Sequence, residues 1–101
     1  MKHNIMMNIG MESNYDFFEL RLKEKNYNVI RASAYTSQEI IKTGRGCEIA
    51  VAGDVDQWTK EALKGLKDSL KLIVRFGVGL DNIDINAASE YGILVSNCAG
   101  A

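Results

Sequence analysis

The most restrictive feature of this sequence is a regular alternation between short apolar runs and longer segments with helical signals. Five apolar runs are typical of buried strands, and they cover residues 4–9, 28–32, 48–52, 72–74 and 93–96. Four intervening segments are typical of helices, and they cover residues 14–25, 36–43, 56–67 and 85–91. Such a β-α repeat needs crossover helices, so it predicts an α/β fold, a flavodoxin-like (Rossmann-like), doubly wound, five-stranded parallel sheet.

The spacing of large apolar residues predicts which side of two helices faces the sheet. In the first helix, Phe17 and Leu20 lie on one face, and charged residues lie mostly around the other. In the third helix, the residues expected to face inward are Trp58, Leu63 and Leu66. We interpret the tryptophan as a core residue and not as a platform for a ligand.

Composition limits the classes of function that the chain can serve. Its 101 residues allow one domain, and 47% apolar and 25% charged residues are usual for a soluble globular protein. A net charge of −1 gives no bulk attraction to nucleic acid or to an anionic membrane, and no apolar run approaches the ~20 residues of a membrane helix. Cys47, Cys98 and the single histidine, His3, do not have metal-ligand spacing, so we expect no metal site and a cytoplasmic location.

The loop RFGVGLDNID, residues 75–84, is the strongest candidate for a ligand site. It lacks the third small residue of a dinucleotide-binding loop and the Gly-Lys-Ser/Thr of a Walker loop. Its main-chain N–H groups, with the cation of Arg75, suit a small carboxylate. A plain glycine turn, in which Asp81 and Asn82 satisfy the backbone, is the interpretation that these residues alone favour.

Asp54 raises a second possibility, because it follows the third strand at the position of the phosphate-accepting aspartate of a receiver domain. A receiver also needs an acidic pair after the first strand to hold Mg²⁺, and a lysine after the fifth. Here residues 8–10 read Asn-Ile-Gly and residues 95–97 read Val-Ser-Asn. The sequence therefore argues against a receiver domain.

Residues 70–101, LKLIVRFGVGLDNIDINAASEYGILVSNCAGA, closely resemble the NAD-dependent D-2-hydroxyacid dehydrogenases. The D-3-phosphoglycerate dehydrogenase-like members are the most similar subgroup. The stretch GVGLDNIDINAASEYGI matches the family's G-x-G-x-D-N-I-D, followed by paired alanines and a Gly-Ile. The resemblance implies that residues 1–101 are the N-terminal part of the substrate-binding (catalytic) domain, and that the NAD-binding domain is absent from this chain.

The same resemblance gives roles to individual residues of the loop. It implies that the N–H groups of Val78 and Gly79 bind the carboxylate of a small 2-hydroxy or 2-oxo acid. Gly77 and Arg75 are expected to assist, and Val78 is also expected to touch the nicotinamide of NAD. Residues 51–54, Val-Ala-Gly-Asp, lack the arginine that holds the substrate phosphate in some members, which argues against phosphoglycerate.

The family's catalytic Arg, Glu and His and its cofactor loop have no counterpart in these 101 residues. His3 has no carboxylate partner in view and is not expected to replace the catalytic histidine. We therefore expect this chain to be inactive by itself and the full-length enzyme to be a homodimer. The alternative is a protein-binding domain of the same architecture, like that of the NAD-sensitive C-terminal-binding-protein corepressors.

Overall fold

The protein is described here from a computed structural model, which covers residues 3–8, 16–75 and 79–97. The strands are β1 (His3–Met7), β2 (Tyr27–Arg31), β3 (Ile49–Ala52), β4 (Leu72–Arg75) and β5 (Leu94–Asn97). The helices are α1 (Asp16–Glu24), α2 (Ser37–Gly44), α3 (Lys60–Leu66) and α4 (Ile85–Glu90). The alternation of strands and helices along the chain is the one that the apolar runs predict.

All five strands form one parallel sheet in the order β2-β1-β3-β4-β5. The chain thus moves outward from β1 to β2, crosses back to β3, and then continues outward in the other direction. The reversal beside β1 is the topological switch point of a doubly wound sheet. The predicted fold class is confirmed.

The larger core lies between the sheet and helices α2, α3 and α4. Met6, Ala50 and Ile73 point from β1, β3 and β4 to this side, where they meet buried residues of the three helices. The buried helix residues of this cluster are Ile40, Ala62, Leu63, Leu66, Ala87 and Ala88. Trp58, just before α3, is 1% exposed in the same cluster, which confirms its interpretation as a core residue.

The opposite side of the sheet carries α1 and a much smaller core. Leu22 of α1 packs against the cluster of Ile5 and Met7. The prediction that Phe17 and Leu20 form the inward face was wrong, since they are 68% and 54% exposed. Helix α1 is also attached to the edge strand β2, where Arg31 forms salt bridges with two acidic residues of the helix.

Helix α3 begins at Lys60, four residues later than the predicted start at residue 56. Trp58 forms a parallel bridge with Ile83, and the hydroxyl of Thr59 then caps the helix by accepting from the N–H of Ala62. Later in the helix, a Cβ at Gly65 would lie 2.7 Å from a side-chain carbon of Ile41 in α2. The glycine therefore allows the two helices to pack closely. None of the described helices has the length and hydropathy needed to cross a membrane.

Candidate functional site

A polar pocket lies at the carboxyl ends of β3 and β4. Its volume is about 290 Å³. The described residues that line it are Asp54, Gln57, Arg75, Gly79, Asp81 and Asn82. Two neighbouring parallel strands end here, and the loops that follow them form the walls. This is the edge at which doubly wound sheets bind their ligands.

The pocket brings together two of the four residues predicted to bind substrate. Arg75 is the last residue of β4, and Gly79 belongs to the loop that follows it. Gly79 is exposed, and a Cβ built on it would have no neighbour within 4 Å, so its main chain is accessible from that side. Gly77 and Val78 lie outside the described residues, and their predicted roles stay predictions.

The expectation that His3 has no carboxylate partner was wrong, because its Nδ1 lies 2.5 Å from Oε1 of Glu48. Both residues lie at the amino ends of β1 and β3, away from the pocket.

Asn82 attaches the loop after β4 to the loop after β3. Its side-chain amide nitrogen donates to the carbonyl oxygens of Gly53 and Asp56, both at 2.9 Å. The main-chain carbonyl of Asn82 accepts from the main-chain N–H of Trp58 at 2.9 Å. The main-chain carbonyl of Trp58 in turn accepts from the N–H of Asp84. The two walls of the pocket are therefore joined by four hydrogen bonds that involve no ligand.

A buried carboxylate lies beneath this connection. Asp56 is 1% exposed, and its Oδ2 accepts from three donors. They are the N–H of Gly53 at 3.2 Å, the Nδ2 of Asn8 at 2.8 Å and the Nε1 of Trp58 at 2.5 Å. Its Oδ1 is also buried and has no hydrogen-bond partner among the residues that the structure describes. One side chain thus ties the end of β1 to the loop that follows β3.

Asn8 extends this network to the segment after β2. Its Nδ2 donates to the carbonyl of Ala34 at 2.6 Å, and its Oδ1 accepts from the Ala34 N–H at 2.7 Å. Sequence reasoning counted the loop of residues 53–56 among the candidate ligand loops but gave Asp56 no role in it, and it missed Asn8 as a site residue. The available signal was a polar residue directly after β1 and an acidic residue four positions after β3, both at the edge where ligands bind.

Asp54 lines the pocket and is exposed. A receiver domain would have an acidic residue at the end of β1. Here that position is Asn8, whose side-chain amide donates hydrogen bonds to Ala34 and Asp56. Within residues 3–8, 16–75 and 79–97, no three His, Cys, Asp or Glu side chains are grouped to hold a metal ion. The geometry therefore gives no support to the Mg²⁺ site of a receiver domain.

The charges of the pocket are mixed. Arg75 is the one cation among the described lining residues, and Asp54 and Asp81 are the two anions. A guanidinium beside exposed main chain can bind a carboxylate through charge-assisted hydrogen bonds. The pocket is small and polar, so its chemistry suits a short acid.

Comparison with protein families gives a match over most of the chain. The sequence model for the catalytic domain of the D-isomer specific 2-hydroxyacid dehydrogenases matches residues 10–101. The chain belongs to the D-isomer specific 2-hydroxyacid dehydrogenase family. The predicted family is confirmed, and the loop of residues 75–84 lies inside the matched region.

Individual members of the 2-hydroxyacid dehydrogenase family differ in their names. The D-3-phosphoglycerate dehydrogenase of Methanocaldococcus jannaschii is 32% identical over 82 residues, which cover 81% of this chain and 16% of that protein. The hydroxypyruvate reductase of Thermotoga maritima is 38% identical over 63 residues, which cover 62% of this chain and 20% of that protein. This chain therefore spans a fifth or less of the length of these two relatives.

A solved structure gives the same fold. The NAD⁺-bound 3-phosphoglycerate dehydrogenase of Entamoeba histolytica matches with a TM-score of 0.84 and 23% identity, over 96% of this chain and 33% of that one. At this level of identity, the match shows the fold alone. The region shared with this family member is the doubly wound sheet whose carboxyl edge holds the pocket.

Proposed function

We propose that this chain provides the carboxylate-binding part of the substrate site of a D-2-hydroxyacid dehydrogenase. The observation that carries the proposal is that Arg75 and Gly79 line one pocket at the carboxyl edge of the sheet. The guanidinium supplies charge and N–H donors, and the glycine loop lets a ligand approach the main chain closely. The N–H groups of Val78 and Gly79 are the proposed main-chain donors to the carboxylate, with Gly77 giving the loop its freedom.

The role of this pocket in the reaction is to orient the substrate. Two or more donors on one carboxylate fix the position of the neighbouring C2, which is the carbon that exchanges a hydride in a 2-hydroxyacid dehydrogenase. The hydrogen bonds of Asn82 hold the loop in place before substrate arrives. The proposed substrate is a small 2-hydroxy or 2-oxo acid.

NAD is the proposed cofactor of the complete enzyme, and when bound it accepts or supplies the hydride. The described residues do not form a dinucleotide site, because the pocket is small and the loop has Asn82 where a third small residue would be needed. The proposed contribution of this chain is a contact between Val78 and the nicotinamide. We place the rest of the cofactor site, the catalytic Arg, Glu and His, and the dimer contact in other parts of a longer enzyme.

The names of the two relatives do not identify which acid binds to the proposed site. One is named for 3-phosphoglycerate and the other for hydroxypyruvate, and these two acids differ most in the phosphate group. The proposal at this level therefore names the carboxylate and C2, which both acids share, and not the remainder of the substrate.

Amide NMR on the 101-residue chain tests the proposal directly. We expect D-glycerate to cause saturable shifts at Gly79 and its neighbours, whereas glycerol, which lacks the carboxylate, causes none there. Arg75→Gln is expected to weaken glycerate binding by at least about tenfold, since a hydrogen bond to a charged group contributes roughly 1.5–3 kcal/mol. Arg45→Gln is the matched control, because Arg45 is exposed at the end of α2, at the other edge of the sheet.

Equal shifts with glycerol, or equal weakening by the two arginine variants, would contradict a carboxylate site at Arg75. A separate assay tests the division of labour. The chain is expected to give no NADH-dependent reduction of hydroxypyruvate, because the proposed proton donor and most of the cofactor site lie elsewhere. Turnover by the purified chain would show that this division is wrong.

A further inference from the structure

Two carboxylates of the pocket bear on which acid it accepts. Asp54 follows β3 directly after Gly53, and Asp81 lies two residues after Gly79 in the loop that follows β4. Both side chains are exposed, and neither takes part in a salt bridge within the part of the chain that the structure describes. Each loop thus brings a negative charge to the pocket that contains Arg75 and Gly79.

The fold holds the main chain next to each of these two aspartates in place. Asn82, next to Asp81, bonds to the carbonyl of Gly53, next to Asp54, at 2.9 Å. The N–H of Gly53 is in turn held by the buried Asp56. Because the two loops are joined through the residues beside the aspartates, both aspartates stay at the same pocket when a ligand binds.

We propose that Asp54 and Asp81 make this pocket select a small hydroxylated acid and reject its phosphorylated form. The inference rests on the proposed carboxylate site and deepens it. One cation and two anions give the described lining a net charge of −1. A 2-hydroxy acid brings one negative charge for Arg75, whereas a phosphate ester brings roughly 1.5 to 2 more at neutral pH.

Hydrogen-bonding chemistry favours the same acid. A carboxylate only accepts hydrogen bonds, so Asp54 and Asp81 can bind a hydroxyl group, which donates. A phosphate dianion presents acceptors and no donor to them. The two aspartates therefore stabilise a hydroxylated tail and repel a phosphorylated one, and the discrimination is expected to be on the order of fivefold for charges separated by several ångströms near water.

D-Glycerate and 3-phospho-D-glycerate test the inference, because they share the carboxylate and the 2-hydroxyl and differ by one phosphate. Their dissociation constants are measured by amide NMR for the unaltered chain, for Asp54→Asn, Asp81→Asn and the double variant. We expect the unaltered chain to prefer glycerate by about fivefold. Each single variant is expected to strengthen phosphoglycerate binding about threefold. The glycerate constant is expected to stay within a factor of two, because the side-chain oxygen of Asn still accepts a hydrogen bond from the hydroxyl group.

The control variant is Asp68→Asn. Asp68 is 99% exposed and precedes β4, so it lies at the other edge of the sheet. It is expected to leave the preference unchanged, and 1 M NaCl is expected to reduce the preference of the unaltered chain by screening.

Equal affinity of the unaltered chain for the two acids would overturn the selectivity and leave the carboxylate site standing. If Asp68→Asn strengthened phosphoglycerate binding as much as the pocket variants do, the selectivity would also be overturned. That result would show that the net charge of the chain, and not the position of the aspartates, sets the preference between the two acids. If neither acid binds, the proposed carboxylate site itself is wrong, and the inference is lost with it.

Discussion

The two faces of the sheet differ sharply in how well they are covered. Neighbouring strand residues point to opposite faces, and the strand register places residues of each face in rows across the sheet. We call the side of α2, α3 and α4 the covered face; one of its rows runs Met6, Ala50, Ile73, Val95. The side of α1 is the open face; one of its rows runs Ile5, Ile49, Leu72, Leu94.

Along the row on the open face, the strand residues become more exposed toward β5. Ile5 in β1 is 2% exposed, Ile49 and Leu72 are partly buried, and Leu94 in β5 is 71% exposed. On the covered face, Ile73 in the same strand as Leu72 is fully buried. Among the described residues, α1 is the helix that packs on the open face, and it packs beside β2. Apolar strands alone therefore do not make a core; each strand needs a helix above it on both sides.

The largest expected effect compares two neighbours in β4. Ile73→Ala removes a side chain from the covered face and is expected to lower the free energy of unfolding by about 2–5 kcal/mol. Leu72→Ala removes a side chain of the same size from the open face and is expected to cost less than half as much. Urea unfolding followed by circular dichroism measures both. Equal costs would show that the open face is as well packed as the covered one.

The next effect concerns the polar network at the carboxyl edge of the covered face. Asp56→Asn replaces the carboxylate that accepts hydrogen bonds from Gly53, Asn8 and Trp58. The variant is expected to lower the free energy of unfolding by about 1.5–3 kcal/mol. The matched control is Asp68→Asn, which changes the same group at an exposed site and is expected to stay within about 0.5 kcal/mol. A loss no larger than that of the control would mean that the buried carboxylate does not anchor this edge.

The difference between the faces also explains which predictions from sequence succeeded. Periodicity places β4 correctly, and α3 apart from its start, because each apolar run has a buried face. It fails for Phe17 and Leu20 because a helix pattern shows an apolar stripe and not whether the protein covers it. Burial of that stripe depends on what surrounds α1, which its own residues do not reveal.

The site was predictable only in part for a related reason. Arg75 and Gly79 lie four residues apart, so a local motif can contain both. Asn8 and Asp56 are brought together across the pairing of β1 with β3, and they lie 48 residues apart along the chain. No local pattern reports such a contact. Such a contact can be predicted only from the order of the strands in the sheet, and that order depends on the complete chain topology.

The smallest expected effect concerns the start of α2 on the covered face. Thr36 and Glu39 form a capping box, in which the Glu39 carboxylate accepts from the main-chain N–H groups of Thr36 and Tyr35. The bond from the Thr36 N–H is the main reason that the pKa of Glu39 is lowered from its ordinary value, with the Tyr35 N–H next. A lowered pKa means that the ionised form is favoured by folding. The stabilisation is therefore complete above the unfolded-state pKa and disappears as the pH falls through the folded-state pKa.

Glu39→Gln tests this sign. The variant is expected to unfold at lower urea than the unaltered chain at pH 7, and the gap between the two midpoints is expected to close as the pH is lowered through the acid range below the ordinary glutamate pKa. Glu61→Gln is the control, because Glu61 lies in the first turn of α3, where Thr59 caps the helix and the third position is Ala62. A gap that stays constant from neutral to acid pH would show that Glu39 acts on α2 through helix propensity and not through its charge.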